Sequence, residues 1–106
     1  MAGLTIKTTN LPNGFRVALA GDASRKEVEA IEGELQRLAA TAPELIAVDL
    51  SKLQYISSAG MVVFLRLRRM LASTKGTLRL GGANPLIAEA FRHANLHRVL
   101  EFVESV

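Results

Sequence analysis

The sequence predicts an α/β fold: a mixed, mostly parallel β-sheet of about five strands, opened by an N-terminal antiparallel hairpin and packed with α-helices. Three observations predict it. Short apolar runs, alternating or continuous, are interleaved with amphipathic stretches of helical period; turn chemistry separates them; and the resulting order is strand, strand, helix, strand, helix, strand, helix, strand. In that order the strand-helix-strand connections form right-handed units with parallel strands. The 106 residues suit a single domain spanning 1–106, and a 49% apolar share is enough to fill its core.

Leu4-Thr5-Ile6-Lys7 and Phe15-Arg16-Val17-Ala18-Leu19 alternate apolar with polar residues, and Pro12-Asn13-Gly14 between them supplies a turn whose glycine can take positive φ. A hairpin therefore opens the chain. Ser24-Arg25-Lys26-Glu27 has capping-box spacing, and Val28, Ile31, Leu35 and Leu38 recur at intervals of three and four, which predicts an amphipathic helix stopped by Ala42-Pro43. The continuous run Leu45-Ile46-Ala47-Val48 reads as a central strand covered on both faces. From Ser57 to Ala72 the chain is helical after its first residues. Projection at 100° per residue puts Gly60, Val63, Phe64, Leu67, Met70 and Leu71 on the core face and Val62, Arg66 and Arg69 together on the other. Lys75-Gly76 breaks this helix, and Thr77-Leu78-Arg79-Leu80 returns to strand alternation. Asn84-Pro85 places a cap before a proline at the first helical position, followed by the stripe Ile87, Ala90, Phe91 and Ala94. Asn95, tolerant of left-handed geometry, ends this helix, and Val99 to Val103 supplies a last short strand.

Composition excludes several classes of function. Cysteine is absent, which removes a disulfide framework, a thiolate metal site and a cysteine nucleophile. The longest apolar stretch, Ala59 to Leu65, falls far short of the ~20 residues of a membrane-crossing helix, so no membrane insertion is expected. Neither a basic leader nor a small-residue cleavage site stands at the amino terminus, and the expected address is cytoplasmic. The net charge of +3 permits contact with nucleic acid, but Tyr55 and the four phenylalanines are not interleaved with a basic run as a stacking platform requires. Glu89, His93 and His97 have the spacing of ligands on one continuous helix, which Asn95 interrupts, so no metal is expected. Gly81-Gly82 precedes a helix without completing a phosphate-binding pattern, and Ile56 stands where a hydrolase elbow around Ser58 needs its first glycine. Asp49 reads as a carboxylate that organises its loop through nearby amides. No cofactor is implied, and with no assembly of nucleophile, base and oxyanion donors the reading is non-enzymatic.

The informative segment runs from Val48 through Asp49-Leu50-Ser51-Lys52-Leu53-Gln54-Tyr55-Ile56-Ser57-Ser58-Ala59-Gly60, connecting the buried strand to the second helix. Serine is favoured at a helix entrance because its oxygen accepts from the unpaired amides of the first turn, so either Ser57 or Ser58 can serve as the cap. Ala59 and Gly60 leave that turn open to close approach by another surface.

This segment resembles the signature of the STAS domains of bacterial anti-sigma-factor antagonists: Asp-hydrophobe-Ser, three or four residues, aromatic, hydrophobe, Asp-Ser-Ser/Ala-Gly. Asp49-Leu50-Ser51 and Tyr55-Ile56-Ser57-Ser58-Ala59-Gly60 reproduce it, and the family's order of elements matches the whole chain. The resemblance implies that Ser58 is the serine phosphorylated by a partner anti-sigma factor with serine kinase activity. It also implies a partner surface of Gly21, Asp22, Ser24, Ser57, Ser58, Ala59 and Gly60. Val62, Arg66 and Arg69 on the following helix extend it. Two departures stand out: Ser57 replaces the usual aspartate, and Gly21-Asp22-Ala23-Ser24 replaces Gly-Glu-Leu-Asp.

A phosphate adds about −1.5 to −2 charges, which the helix amino terminus tolerates and a docked partner does not. The fold survives while binding is lost. The expected function is therefore an anti-sigma-factor antagonist that releases a sigma factor until Ser58 is phosphorylated, with no direct nucleic-acid contact and a homodimer left open. One alternative is a STAS subunit of a lipid-transport or stress-signalling complex that docks without a phosphate cycle. The other is a basic nucleic-acid-binding domain using Arg66, Arg69, Lys75 and Arg79.

Overall fold

The computed structural model describes residues 3–106. Its strands are β1 (Leu4–Leu11), β2 (Gly14–Ala23), β3 (Leu45–Ile56), β4 (Thr77–Gly81) and β5 (Glu101–Val103); its helices are α1 (Val28–Ala39), α2 (Ser58–Ala72) and α3 (Pro85–His93). One sheet contains all five strands in sequential order, with β1 antiparallel to β2 and every later pair parallel. The expected hairpin, mixed sheet and packed helices are all present. No helix among the described residues is long and apolar enough to cross a membrane.

Because the parallel strands follow one another without a reversal, right-handed crossovers carry α1, α2 and α3 to the same face. Ile46, Val48 and Leu50 of β3 point into that layer and are fully buried, packed with Ile31, Leu35, Phe64, Leu67, Ile87 and Phe91. The other face bears no helix, which corrects the reading of Leu45–Val48 as covered on both sides by secondary structure. Ala47 is buried there because it sits in register between Arg16 and Arg79, whose stems shade a small side chain. The Arg16 guanidinium also reaches the carbonyl of Val106, and the last residues pass so close to Gly81 that a Cβ there would lie 2.6 Å from Val106 Cγ1.

Local chemistry departs from expectation at three points. Gly14 does not take positive φ: the left-handed glycines are Gly21 and Gly82, and Gly14 instead opens β2 against the carbonyl of Leu45, with no room for a Cβ. The Ser24 capping box does not form, because the chain enters α1 through a 3-10 turn at Arg25–Glu27 closed by backbone alone (Glu27 N–H to Ser24 O, 2.9 Å). The break at Lys75-Gly76 is as expected: Lys75 takes the left-handed conformation, and Gly76 is small because Pro43 O lies 2.6 Å from where its Cβ would be. Met70 and Ala94 are exposed and Met61 takes a core place, since α2 rotates Met61 inward and α3 ends before Ala94. The Asn84 cap is as expected, its Oδ1 accepting from Ile87 N–H at 3.0 Å, and Asn95 takes φ 60°.

Candidate functional site

The segment read as a loop from Asp49 onward is mostly strand. β3 continues to Ile56, and β2 continues beside it through Gly21 and Asp22, which are therefore strand residues and not a loop. Two irregularities explain why period two is lost. Ala18 pairs with Asp49 but Ala20 with Lys52, and Gly21 pairs with Leu53 but Asp22 with Tyr55, so β3 bulges twice. Each extra residue turns the strand, and Leu50, Leu53 and Ile56 are buried at a spacing of three. Lys52, Gln54 and Tyr55 are left facing solvent.

Asp49 holds the first bulge. Its Oδ1 accepts from Ser51 N–H at 2.9 Å and its Oδ2 lies 2.6 Å from Arg16 Nη2, which fits the organising role expected of it. Partial burial pushes the Asp49 pKa up, but the Ser51 amide and hydroxyl and the Arg16 charge outweigh this and hold it below its ordinary value. β4 pairs with β3 only as far as Gly81, and Asn84 takes over beyond that point: its Nδ2 donates to Leu53 O at 2.9 Å, fixing the first turn of α3 against the bulged end of β3.

At the entrance of α2 the two serines do different things. Ser57 is the cap, with extended backbone, its Oγ accepting from Gly60 N–H at 3.1 Å and its own N–H donating to Ala23 O at 2.9 Å. Ser58 is the first helical residue, exposed, and its hydroxyl makes no hydrogen bond to the described residues. Ala59 is half-buried beside it. Gly60, which the helical projection placed on the core face and the family resemblance placed in the partner surface, is buried: a Cβ there would stand 3.1 Å from Ile56 Cγ1, so its smallness serves helix-to-strand packing.

The structure thus brings Gly21, Asp22, Ser24, Ser57, Ser58 and Ala59 to the end of the sheet where β2 and β3 give way to helices. Val62 follows one turn on, 40% exposed. Arg66 and Arg69 lie about 12 and 16 Å along the helix from Ser58. Arg66 is not free, since its Nε is bonded to Glu32 Oε2 of α1 at 2.7 Å. Two surface residues were missed as site candidates: Tyr55, 51% exposed, and Leu86 in the first turn of α3, 68% exposed. Leu86 carries a signal in the sequence, because it is a large apolar residue off the Ile87-Ala90-Phe91 stripe. The cations of the nucleic-acid alternative are dispersed, with Arg79 on the helix-free face, bonded to Glu101 at 2.8 Å. His97 lies beyond the end of α3, while His93 and Arg92 both contact Glu89.

Comparison with known proteins places this geometry among relatives. The family model described as "Mlab, STAS domain" matches residues 6–103. BtrV of Bordetella bronchiseptica, named as an anti-sigma factor antagonist, is 33% identical over 80 residues, covering 74% of this chain and 69% of BtrV. Among solved structures, an anti-sigma factor antagonist from Mycobacterium paratuberculosis superposes with a TM-score of 0.89 at 15% identity, covering 98% of this chain and 88% of that one. The Bacillus cell fate determinant SpoIIAA in its phosphorylated form gives a TM-score of 0.73 at 17% identity, covering 93% of this chain and 91% of its own. At these identities the structural likeness is one of fold.

Proposed function

The chain belongs to the STAS domain family, and from that membership we propose that it is an anti-sigma-factor antagonist. It binds an anti-sigma factor with serine kinase activity at the end of the sheet formed by Asp22, Tyr55, Ser58, Ala59, Val62 and Leu86, and so frees a sigma factor. Phosphorylation of Ser58 disables it. The observation that carries this reading is the division of labour between the two serines: Ser57 caps α2, which leaves the Ser58 hydroxyl exposed and unbonded one helical turn before the exposed Val62.

The physical basis of the switch follows from that placement. A phosphate on the first residue of α2 meets the free amides and positive end of the helix, so the fold tolerates it. On the surface it sets a strongly hydrated dianion beside Tyr55 and Val62, and a partner that buried those side chains would have to desolvate it. A loss of a few kcal/mol weakens binding by some two orders of magnitude.

The test is titration of a purified anti-sigma factor kinase with the wild type, Ser58→Ala, Ser58→Asp and Val62→Glu, each checked for folding. Ser58→Ala should bind like the wild type and resist phosphorylation, and Ser58→Asp and Val62→Glu should bind at least tenfold more weakly. Equal affinity for all four removes this surface from the interface. A second reading keeps the docking surface and drops the phosphate cycle; what favours it is Ser57, a neutral cap where the family signature carries aspartate. Recovery of a transporter ATPase instead of a kinase on co-purification, with Ser58 unmodified, would establish it.

A further inference from the structure

A cleft opens where α3 meets the last strand of the sheet. The Asn84 side chain ties the first turn of α3 to Leu53 of β3, and Phe91 packs against Phe64 on one side and Phe102 of β5 on the other, with ring centroids 6.2 and 5.1 Å apart. Toward β5 the helix presents the small Ala88, so about 320 Å³ remains open between Ala88, Phe91 and Phe102. β5 stands at the edge of the sheet, and its pairing fixes which of its backbone groups are free. Val103 is in register with Gly81 and accepts from Gly82 N–H at 3.3 Å, so the N–H and C=O of Val103 point to β4. Alternation then turns the N–H and C=O of Phe102 outward, where no strand among the described residues meets them. The Phe102 ring lies on the helix side, against Phe91. An open pair of hydrogen-bonding groups and an apolar cleft therefore meet at one residue.

The two ends of the cleft differ in charge. α3 runs opposite in direction to the parallel strands, so Arg92 and His97 stand where β5 begins and Glu104 where it ends. His97 and Glu104 belong to no ion pair among the described residues, and Arg92 gives Glu89 only its Nη2. We infer that this edge receives an extended segment of a protein partner, paired antiparallel to β5, with a bulky apolar side chain seated between Ala88 and Phe91. The partner residue opposite Phe102 exchanges both backbone hydrogen bonds with it and, lying on the same face, directs its side chain into the cleft. The residues two before and two after share that face. In the antiparallel sense the earlier one meets Glu104 and the later one meets Arg92 and His97, so a base before the apolar residue and an acid after it complete the fit. So short an edge strand offers a single hydrogen-bonded pair, which leaves most of the affinity to the cleft. The inference does not draw on the function proposed above.

The probe is the peptide acetyl-Thr-Lys-Thr-Leu-Thr-Glu-Thr-amide, titrated into the isotope-labelled chain and followed by amide NMR. Shifts should be largest at Ala88, His97 and Phe102 and should saturate with a Kd of about 1 mM or tighter. Alanine in place of the probe's leucine should weaken binding about tenfold or more. Methylating the leucine N–H, the donor to Phe102 O, should abolish saturation, whereas methylating the N–H of the threonine after it, which points away from β5, should cost about twofold or less. Exchanging the lysine and the glutamate should weaken binding about fivefold. Ala88→Trp fills the cleft from an exposed helix position and should abolish binding, with thermal melts to confirm its fold. The altered probes test the inference without touching the fold. Absence of saturable shifts at Ala88 and Phe102 overturns it, as does undiminished binding of the alanine probe, of the methylated leucine or by folded Ala88→Trp. Equal or tighter binding of the charge-exchanged probe overturns the pairing direction and the inference with it. Sedimentation that shows the free chain to be a dimer, made monomeric by Ala88→Trp, gives the edge to a second copy and overturns it too.

Discussion

Replacing Asp49 by alanine should destabilise the fold by about 2–3 kcal/mol, a value built from two contacts. The carboxylate and Arg16 lie 2.6 Å apart, with the Asp49 side chain 18% exposed and that of Arg16 36% exposed. Such a pair falls between exposed bridges, at about 0–1 kcal/mol, and buried ones, whose breakage costs about 3–5; about 1–2 is the fitting value. The Ser51 amide then loses its acceptor inside a bulge, for about 1 kcal/mol more. Together these should lower Tm by about 10 °C in a domain of this size. Asp49→Asn keeps an acceptor for Ser51 and loses only the charge, so it should cost about half as much. The pH dependence has a definite sign. Because the folded pKa is depressed, the stabilisation is complete above the ordinary value of 3.8 and fades as pH falls through the folded value. Urea denaturation of wild type, alanine and asparagine variants at pH 7 and at about pH 2–3 measures this directly. A loss under about 0.5 kcal/mol for the alanine variant at pH 7, or a gap that does not narrow in acid, refutes the role given to this carboxylate.

Three further outcomes follow from the backbone. Gly33 lies exposed in the middle of α1, and a Cβ added there would meet nothing within 4 Å, so Gly33→Ala should stabilise by about 0.5–1 kcal/mol in denaturant titration. Lys75 sits at φ 64°, and Lys75→Gly should raise stability by about 0.5–1 kcal/mol in the same titration by relieving the left-handed cost. Ser57→Ala should cost about 1 kcal/mol and Ser58→Ala close to none; the reverse order in thermal melts would exchange the roles of the two serines.

Much of the architecture was legible because it rests on local chemistry. The stripes of α1 and α3, the Asn84 cap ahead of Pro85 and the left-handed Asn95 each depend on residues within one or two turns, and the signature at Asp49–Gly60 marked where to look. The second half of β3 was not legible, because two bulges replace alternation by a spacing of three among Leu50, Leu53 and Ile56. The failure at Ser24 has a related cause: a 3-10 entry satisfies Glu27 through backbone and leaves the serine side chain unused. Gly60 keeps the core face that helical projection gave it and leaves the partner surface, because a small residue serves close packing and open access equally well in sequence, and only the position of Ile56 distinguishes them. Arg66 fell to a contact with Glu32, thirty-four residues away, that no local pattern encodes.

The paths taken by the two ends of the chain determine how the protein can be tethered. Gly3 accepts from the amide of Asp22 and so lies against the end of the sheet proposed for docking, whereas Val106 folds back to Arg16 and Gly81 on the bare side of the sheet. A reporter or surface linker joined after Val106 leads away over a side that carries no helix, and leaves the Ser58 neighbourhood open to solution. The same linker placed ahead of Gly3 crowds Asp22 and competes with the partner for space, so immobilised binding measurements should be anchored through the carboxyl end.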